Sequence, residues 1–519
     1  MDPSLHPTRV AICGAGVGGL ILAVILSRSP HIQVDVYEAA SELKEIGAGI
    51  GMWPRTWKIM KKLGLDKELG TKAIIPPEGL PKVAFQFRRG DIPQGHTFQT
   101  LVTPGGLISF HRPDFQAVLL DVLSRNDPHN ERVHTHTGKK LISYVDLHPT
   151  CTNDGGVELR FADGTMARCD FLVGADGLKS NVRATMCRYA VEEIKARQGE
   201  SAFDHWSYPI VLMGSTLTCG EKIEAHAASP SESAALAQEA DQISDCAEAV
   251  WSGMFSYRAT MKAEELQRRW KGHRVLDTPH VYLGKDTQMT VYPIARGTLV
   301  NFAAFRARYE MENSRLDASV PMVNNVSKEE FKRDFEEWEE EARVLIECLG
   351  STTSRWAVHT VKPLKSFVSS RGNVLLLGDA AHAMMPFQGS GAGQAIEDAY
   401  ILGTLLTHPR CVASLSSPSC SSYPKTKTLQ RISRIYDAVR RPMAQHVASV
   451  SRDAGLLYTL NYPGLTFDPS SSAGGVRSEE EKLQEVYSRI RMNWEWAWET
   501  SADGDVERAV RMFESGSSN

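Results

Sequence analysis

The chain has 519 residues, and at about 150 residues per domain this length predicts two or three domains. Hydrophobic residues make up 42% and charged residues 23% of the chain, which is ordinary globular usage and excludes a chain disordered throughout. The 58 basic and 62 acidic side chains give a net charge of −4, so the composition provides no electrostatic basis for binding nucleic acid or an anionic membrane.

One apolar stretch near the start, residues 10–27, resembles a signal peptide or a short membrane span in composition. Its glycines and the lack of a small-residue cleavage site argue against both. No other stretch has the ~20 apolar residues that a membrane helix needs. The nine cysteines are scattered and never spaced C-x-x-C, which is typical of a reduced protein without a structural zinc site. We therefore expect a cytoplasmic protein with no membrane insertion.

The same stretch has the pattern of a strand, a glycine turn and a helix. The strand is predicted over Arg9–Cys13, and the turn reads Gly14-x-Gly16-x-x-Gly19. In a dinucleotide-binding turn the first glycine permits the tight bend, the second admits a pyrophosphate, and the third lets the helix pack on the strand. Glu38 lies 19 residues beyond the last glycine, at the end of the next predicted strand, where a carboxylate binds ribose hydroxyls. This pattern predicts a dinucleotide site and leaves NAD and FAD open.

A second group of elements follows in the middle of the chain. Strands are predicted around Val157–Phe161 and Phe171–Val173, with a hairpin turn between them at Asp163-Gly164. Residues 221–249 and 407–428 have the composition of surface insertions with little chemistry.

Two amphipathic helices are predicted from capping-box starts and helical spacing of apolar residues. The first covers Ser327–Cys348, and its glutamates are expected to form a solvated face. The second covers Ser478–Trp498, and we expect its three tryptophans to dock on the main body rather than on a partner.

Two further segments place a carboxylate just past an apolar strand, where open α/β sheets bind ligands. Residues 170–183 read D-F-L-V-G-A-D-G-L-K-S-N-V-R around Asp176. Residues 372–399 contain Asp379 after a strand predicted over Val374–Leu377, followed by a glycine-rich loop and a helix start. Such a loop lets the backbone approach a cofactor closely.

These three motifs, in this order, together with Y-D-A-V-R-R-P at residues 436–442, resemble the single-component FAD-dependent monooxygenases of the para-hydroxybenzoate hydroxylase class. The resemblance covers about residues 9–455 and is strongest to the salicylate hydroxylase-like members, many of them fungal. It implies an α/β fold with a Rossmann-like FAD-binding domain, a β-sheet substrate domain and C-terminal helices. The implied boundaries are 1–80, 104–187 and 362–455 for the FAD-binding domain, 81–103 and 188–361 for the substrate domain, and 456–519 for a C-terminal helical extension.

The resemblance also implies roles for individual cofactor-binding residues. Glu38 matches the ribose ligand of the family, and Asp176 matches a carboxylate that serves both FAD and NAD(P)H. Gly51, in E-I-G-A-G-I-G-M, lies in a loop that approaches the flavin side of the cofactor. Arg112, in F-H-R-P-D-F, matches an arginine that contacts FAD. Asp379 matches the ligand of the ribityl chain.

The glycine-rich loop after Asp379 is implied to lie beside the flavin. Gly391 and Ala392 fall in the part of this loop near the flavin ring, and Pro386 falls over the flavin edge. His382, in the same motif, is expected to be structural rather than catalytic. Many relatives have Pro-Asn where this chain has Pro54-Arg55, so Arg55 is expected either to be solvated or to meet an acidic substrate or nicotinamide phosphate.

The substrate pocket is implied to lie between two strands. Residues 251–258 resemble the strand that lines the aromatic pocket of relatives, and residues 288–293 resemble a neighbouring strand. Arg258 and Tyr292 would hold a phenolate there, because a fixed guanidinium stabilises an anion where the dielectric is low. Three other interpretations stay open: a structural ion pair for Arg258, core packing for Tyr292, and a pocket role for Tyr257.

The implied activity is an FAD-dependent hydroxylation that consumes NAD(P)H and O₂ and passes oxygen from a flavin C4a-hydroperoxide to a phenolic or phenolic-acid substrate. Attack at a carbon that bears a carboxylate gives decarboxylation, and attack at a carbon that cannot re-aromatise gives dearomatisation. One alternative is an epoxidase of a terpenoid-type substrate on the same fold, and a more distant one is a binding module without redox chemistry. The choices of NADH or NADPH and of monomer or homodimer stay open.

Overall fold

The structure, a computed structural model, describes residues 7–43, 49–73, 80–129, 131–147, 155–198, 230–415, 423–467 and 477–515. Parts of the E-I-G-A-G-I-G-M loop and of both predicted insertions lie outside these ranges. None of the helices formed by the described residues combines the length and the apolar character that crossing a bilayer requires.

The described residues form the following strands and helices. The strands are β1 Thr8–Cys13, β2 Ile32–Tyr37, β3 Gly49–Met52, β4 Pro81–Arg89, β5 His96–Pro104, β6 Ile108–His111, β7 Val133–His136, β8 Leu141–Leu147, β9 Gly156–Phe161, β10 Met166–Cys169, β11 Phe171–Gly174, β12 Val250–Lys262, β13 His280–Gly284, β14 Thr287–Ile294, β15 Leu299–Ala307, β16 Val323–Ser327, β17 Thr352–Thr360 and β18 Val374–Leu376. The helices are α1 Val17–Leu26, α2 Pro54–Lys62, α3 Asp66–Gly70, α4 Arg112–Asn126, α5 Asn181–Arg197, α6 Pro230–Ser244, α7 Ala263–Arg269, α8 Lys328–Lys332, α9 Glu340–Glu347, α10 Asp379–His382, α11 Gly391–Leu406, α12 Pro409–Leu415, α13 Tyr423–Tyr458, α14 Glu479–Trp494, α15 Trp496–Glu499 and α16 Asp503–Ser515.

A five-stranded parallel sheet in the order β18-β11-β1-β2-β7 forms the first layer. Strands β1, β11 and β18 of this sheet are largely apolar and buried, as expected where helices cover both faces. Every residue of α1 is buried, and this helix packs against α11 and α4. The carboxyl ends of β1, β2, β11 and β18 therefore meet at one edge, which is the position where such sheets bind ligands.

A second, eight-stranded sheet has the order β16-β17-β12-β15-β14-β13-β4-β5 and is antiparallel except between β13 and β4. The two strands predicted to be neighbours, β12 and β14, are separated by β15, so that prediction is wrong by one strand. Side chains alternate between the two faces along each strand. One face of this sheet packs on a core that contains Phe331 and Trp338, and the alternate residues of each strand form the opposite face.

The turn at Asp163-Gly164 is a hairpin turn, but it joins β9 to β10 rather than to the strand at residues 171–173. That strand, β11, instead enters the parallel sheet beside β1. The hydrophobic pattern predicted the strands correctly, while the partner of each strand depends on tertiary packing.

The helix predicted over Ser327–Cys348 is interrupted. Its start is correct, because the Ser327 hydroxyl accepts from the Glu330 N–H at 3.2 Å. The chain then leaves the helical path, and Glu339 takes an extended conformation before α9. The break brings the buried Glu339 carboxylate to the buried Arg88 guanidinium, with Oε1 2.7 Å from Nε. The glutamate-rich side is therefore not wholly solvated, since Glu341 is also buried and pairs with Arg274.

The C-terminal helices dock on the main body, as predicted. The capping box of Ser478 and Glu481 is formed at the start of α14. Trp494 and Trp498 are buried and lie 5.0 and 5.7 Å from the Trp53 ring, between ring centroids. The helix breaks at Glu495, so the predicted single helix is the pair α14 and α15.

The two predicted insertions contribute to packing where they are described, so they are more than surface excursions. Helix α6 packs against α5, and Cys246 just after it is buried. Helix α12 buries Cys411 completely.

We predict that Glu339→Ala lowers the free energy of unfolding by about 3 kcal/mol, because it leaves a buried guanidinium without its main partner. Urea denaturation measures this loss. The exposed neighbour Glu337 provides the control, and Glu337→Ala should change stability by less than about 0.5 kcal/mol. Equal stabilities for the two variants would contradict the role assigned to the Arg88–Glu339 pair.

Candidate active site

The glycine turn after β1 is shaped by close backbone contacts. Gly14 has a φ of +109°, and a Cβ built on it would lie 2.1 Å from the carbonyl oxygen of Ala175. A Cβ on Gly19 would lie 2.1 Å from the carbonyl oxygen of Gly14, so α1 packs on the turn only with glycine there. Gly16, at the N-cap of α1, has no atom within 4 Å of its Cβ position. This open space at a helix N-terminus fits a pyrophosphate.

Glu38 follows β2 and points back to this turn. Its carboxylate accepts hydrogen bonds from the Ala15 N–H at 2.9 Å and from the Ala40 N–H at 2.8 Å. Two N–H donors therefore fix the carboxylate beside the start of α1, and each oxygen keeps a lone pair for a further donor.

Asp176 lies in the loop after β11, which the contact between Gly14 and Ala175 holds against the glycine turn. Its carboxylate accepts from the Ser180 hydroxyl and from the N–H groups of Asn181 and Val182, at 2.8 and 3.1 Å. Burial raises the pKa of this carboxyl group despite those hydrogen bonds. Asp176 therefore holds its own loop at the start of α5, and its contact with cofactors stays a prediction.

Arg183, at the end of the same motif, was given no role by the sequence. Its buried guanidinium donates to the carbonyl oxygen of Leu178 at 2.8 Å and to that of Ala380 at 2.9 Å. It therefore joins the loop that follows β11 to α10, the short helix that follows β18. The D-G-x-x-S-x-x-R spacing of residues 176–183 is the sequence signal for this arginine. The spacing alone does not reveal its role, because the role depends on which carbonyl groups lie beside the Arg183 guanidinium.

Asp379 is the first residue of α10 and is exposed. Its Oδ1 lies 3.9 Å from the Cβ position of Gly391, and among the described residues no group donates a hydrogen bond to its carboxylate. Gly391 and the half-buried Ala392 form the first turn of α11, whose N-cap residue Ser390 makes no side-chain capping bond. A free carboxylate beside uncapped helix N–H groups fits a ligand with both hydroxyl and anionic groups.

The strand β3 brings the glycine-rich loop of residues 49–52 to the eight-stranded sheet. The Gly49 N–H donates to Oδ1 of Asn301 at 3.5 Å, and a Cβ on Gly49 would lie 3.1 Å from the Tyr292 hydroxyl oxygen. Gly51 pairs with Ser109 of β6, and the chain continues directly from β6 into α4, which begins at Arg112. Gly51, Arg112 and Tyr292 are thus brought to one region.

Arg258 lies on β12 and is half-buried. Its Nε donates to the Ser256 hydroxyl at 3.2 Å, and its guanidinium carbon lies 5.4 Å from the Trp356 ring centroid. No carboxylate among the described residues forms an ion pair with it, which argues against the structural ion pair. Burial, together with the charge of Arg112, lowers the pKa of the guanidinium, while Tyr292 acts in the opposite direction.

The register of the sheet defines the surface around Arg258. Arg258 pairs with Ala303, and Ala303 pairs with Thr290, so these side chains form a row across one face. Tyr292 lies on the same face, two residues along β14. Ala303 places only a methyl group between the longer side chains. We refer to this surface as the Arg258 face.

The Arg258 face also meets the glycine-rich loop before α11. The Phe305 ring lies 5.0 Å from that of Phe387, which follows Pro386 in the short 3₁₀ turn before Gly389. The Arg258 face therefore lies between the two loops that the sequence assigned to the flavin. Tyr257 is on the opposite face, stacked on Phe331 at 4.6 Å, so its predicted pocket role is wrong.

Arg55 fits neither of the two roles considered for it. It is 4% exposed, with Nε 2.8 Å from Oε1 of Glu397 and Nη2 2.9 Å from Oδ2 of Asp505. A buried arginine with two carboxylate partners is neither solvated nor available to a substrate.

His382 is structural, as predicted. Its Nε2 lies 2.6 Å from Oδ2 of Asp398, and both side chains are buried. Burial opposes ionisation of Asp398, but His382 and Arg440 together lower its pKa to about 2.

Comparison with known proteins identifies the family. A family described as an FAD binding domain matches residues 323–410. The chain is 31% identical to an FAD-dependent monooxygenase from Strobilurus tenacellus, over 98% of each chain. The chain belongs to the FAD-dependent monooxygenases. The present chain is also 29% identical to a salicylate hydroxylase from Pseudomonas putida, over 96% of this chain and 94% of that one. A solved salicylate hydroxylase substrate complex matches with a TM-score of 0.67 at 25% identity, over 97% of this chain and 98% of that one.

The family and the geometry agree on the cofactor. Members of this salicylate hydroxylase-like group use FAD, with NAD(P)H as the typical co-substrate. A dinucleotide needs space for its pyrophosphate and acceptors for its ribose and ribityl hydroxyls. The open space at Gly16 meets the first need, and the carboxylates of Glu38 and Asp379 meet the second. The residues present therefore fit FAD.

We predict that Gly16→Ala folds normally but binds FAD about tenfold more weakly or worse, a loss of about 1.4 kcal/mol. The methyl group meets no protein atom within 4 Å, so it obstructs only a bound phosphate. Thermal unfolding of the apoprotein and FAD titration measure the two effects. Gly70→Ala, which also meets no atom within 4 Å, is the control, and equal FAD affinity in both variants would contradict the predicted phosphate position.

Proposed function

We propose that this monooxygenase uses NAD(P)H and O₂ to hydroxylate a phenolic or phenolic-acid substrate bound between FAD and the Arg258 face. The observation that carries the proposal is the Arg258 guanidinium, which is half-buried and has no carboxylate partner among the described residues. A cation withdrawn from water in this way favours an anionic ligand. Phenolates and aromatic carboxylates supply that charge on a flat ring.

The electrostatics of the Arg258 face favour the anion further. Burial and the neighbouring Arg112 both lower the pKa of Arg258, so these two surroundings disfavour the charged form of the guanidinium. Arginine stays protonated at neutral pH nonetheless. A bound phenolate or carboxylate relieves this cost, so the site stabilises the ionised substrate.

Tyr292 supplies a neutral hydroxyl next to this charge. Burial raises its pKa to about 12, so the group is protonated across the physiological range. It acts as a hydrogen-bond donor toward an anionic oxygen rather than as a base. Arg258 and Tyr292 together hold and orient the phenolate.

Bound and reduced FAD supplies the activation of O₂ and an electrophilic oxygen, which belongs to the chemistry of the cofactor. The protein supplies position and a dry site. The buried rings of Phe305 and Phe387 lie against one side of the Arg258 face, and Arg258 keeps electron density on the substrate ring by holding the substrate as the phenolate. A carboxylate on the attacked carbon leads to decarboxylation, and a carbon that cannot re-aromatise leads to dearomatisation.

The alternative of a terpenoid-type epoxidase requires an apolar pocket without a charged group. The Arg258 face carries Arg258, Ser256, Thr290 and Tyr292, so its polarity supports the phenolic substrate. The retained glycine turn, Glu38 and Asp379 argue against a binding module without redox chemistry. We also propose a cytoplasmic enzyme that works as a monomer or homodimer, and the six described cysteines, all free thiols, support the reducing location.

We predict that Arg258→Met lowers kcat/KM for a phenolic substrate by about 100-fold or more, because one preorganised charge is lost from the site. Steady-state product formation measures the change. Arg355→Met, on the adjacent strand β17 but on the opposite face, is the control and should retain normal kcat/KM. Full activity of Arg258→Met would contradict the proposal.

We predict that Tyr292→Phe lowers kcat/KM by about tenfold, the cost of one hydrogen bond to a charged oxygen, and leaves the shape of the pH profile unchanged. The raised pKa of Tyr292, about 12, keeps its proton in place at all lower pH values, so it contributes no ionisation step below that pH. The profile of kcat/KM against pH measures this. A limb that disappears in the variant would show instead that Tyr292 titrates during catalysis.

A further inference from the structure

Two adjacent carboxylates on α11, Glu397 and Asp398, have no exposed surface. Burial of two neighbouring negative charges is costly unless cations compensate both. Arg440 of α13, also without exposed surface, bridges the pair, with Nε 2.7 Å from Oδ1 of Asp398 and Nη1 3.1 Å from Oε2 of Glu397. His382 also contacts Asp398, with Nε2 2.6 Å from Oδ2, so Asp398 has two partners and Glu397 needs a cation beyond the shared Arg440.

The further cation at Glu397 is Arg55 of α2. It binds Glu397 through two parallel contacts, Nε to Oε1 at 2.8 Å and Nη2 to Oε2 at 3.1 Å. Its other donors reach the C-terminal extension, where they contact the Thr500 hydroxyl at 2.7 Å, the Ser501 carbonyl oxygen at 2.9 Å and the Asp505 carboxylate at 2.9 Å. A single side chain therefore joins α11 to the start of α16.

The other end of this network reaches the proposed ribityl and phosphate positions. Oδ2 of Asp398 accepts from the Gly378 N–H at 3.0 Å, so it fixes the residue directly before Asp379. Arg440 also donates to Oε1 of Gln394 at 2.7 Å, in the first turn of α11. The same turn packs on α2, since a Cβ on Gly393 would lie 2.8 Å from the Thr56 hydroxyl oxygen.

We propose that Arg55 is a positioning residue for the flavin site and that it couples docking of α16 to FAD binding. The inference rests on the proposed assignment of Asp379 and the α11 N-terminus to FAD. The contacts run from Asp505 through Arg55 to Glu397, then through Arg440 to Asp398 and the Gly378 backbone. Loss of the Arg55 fork leaves Arg440 as the remaining cation at Glu397, which weakens its hold on Asp398 and loosens the loop that carries Asp379. By linkage, FAD binding must then strengthen docking of α16 by the same factor by which docking strengthens FAD binding.

The test compares Arg55→Lys with Lys62→Met. Lysine keeps the charge of residue 55 but cannot form the two parallel contacts. Lys62 pairs with Asp503 of the same C-terminal helix at the surface, so its loss removes an exposed contact between the same two helices. Titration of the apoproteins with FAD, followed by quenching of FAD fluorescence, should show about tenfold weaker binding for Arg55→Lys and unchanged binding for Lys62→Met.

Hydrogen exchange provides a readout that is independent of activity. Addition of FAD should slow amide exchange in residues 503–515 of the wild type and of Lys62→Met, and it should have no such effect in Arg55→Lys. Wild-type FAD affinity in Arg55→Lys, or exchange in α16 that FAD never changes, would overturn the proposal.

If Arg55→Lys does not fold, Asp505→Ala keeps the Arg55–Glu397 pair and removes the contact with α16. Loss of the FAD-dependent protection in this variant supports the coupling, and full protection overturns it. Gly16→Ala separates the two levels of the account. Normal FAD binding in that variant would contradict the cofactor site itself, whereas weak binding there together with normal binding in Arg55→Lys would contradict only the coupling.

Discussion

The burial of Glu397 and Asp398 on α11 is the constraint on which the arrangement of the flavin site depends. Charged groups are removed from water only where opposite charges and hydrogen bonds replace it. Here the replacements come from α2, from α13, and from the segment after β18 that contains the Gly378 N–H and His382, and these segments are far apart in the sequence. Compensation of two charges therefore fixes where four segments meet, and the glycine-rich start of α11 lies at that point.

The Arg258 face has the opposite electrostatic character. In the α11 network every buried charge is matched by a partner within the protein, whereas the Arg258 guanidinium contacts the Ser256 hydroxyl and the Trp356 ring and has no carboxylate partner among the described residues. This contrast supports the binding of an anionic ligand at Arg258. The lack of a carboxylate partner for Arg258 among the described residues supports its proposed role in binding an anionic substrate.

The parts of this structure that the sequence predicts are those that local patterns determine. The glycine turn, Glu38, the strand β18 and the capping box of α14 each depend on neighbours within a few residues or on one supersecondary unit. The predicted fold class and family follow from the order of such units, and both are confirmed.

The parts that the sequence does not predict depend on long-range partners or on register. Arg55 acquires its role from residues 342 and 450 positions away, and no local pattern signals that distance. Tyr257 and Arg258 are adjacent, so a register of one residue decides that only Arg258 reaches the proposed substrate surface. The break at Glu339 is set by Arg88, 251 residues earlier, against the helical pattern of its own segment.

The most direct test of the proposed function is the rate of anaerobic flavin reduction by NADPH and by NADH, with and without a panel of phenols and phenolic acids. A ring that lacks both the hydroxyl and the carboxylate is the control for each compound. The account predicts that at least one phenolic compound accelerates reduction strongly and that its control does not. An FAD-loaded protein whose reduction no phenolic compound changes would contradict the phenolic substrate, and a protein that cannot be loaded with FAD would contradict the enzyme itself.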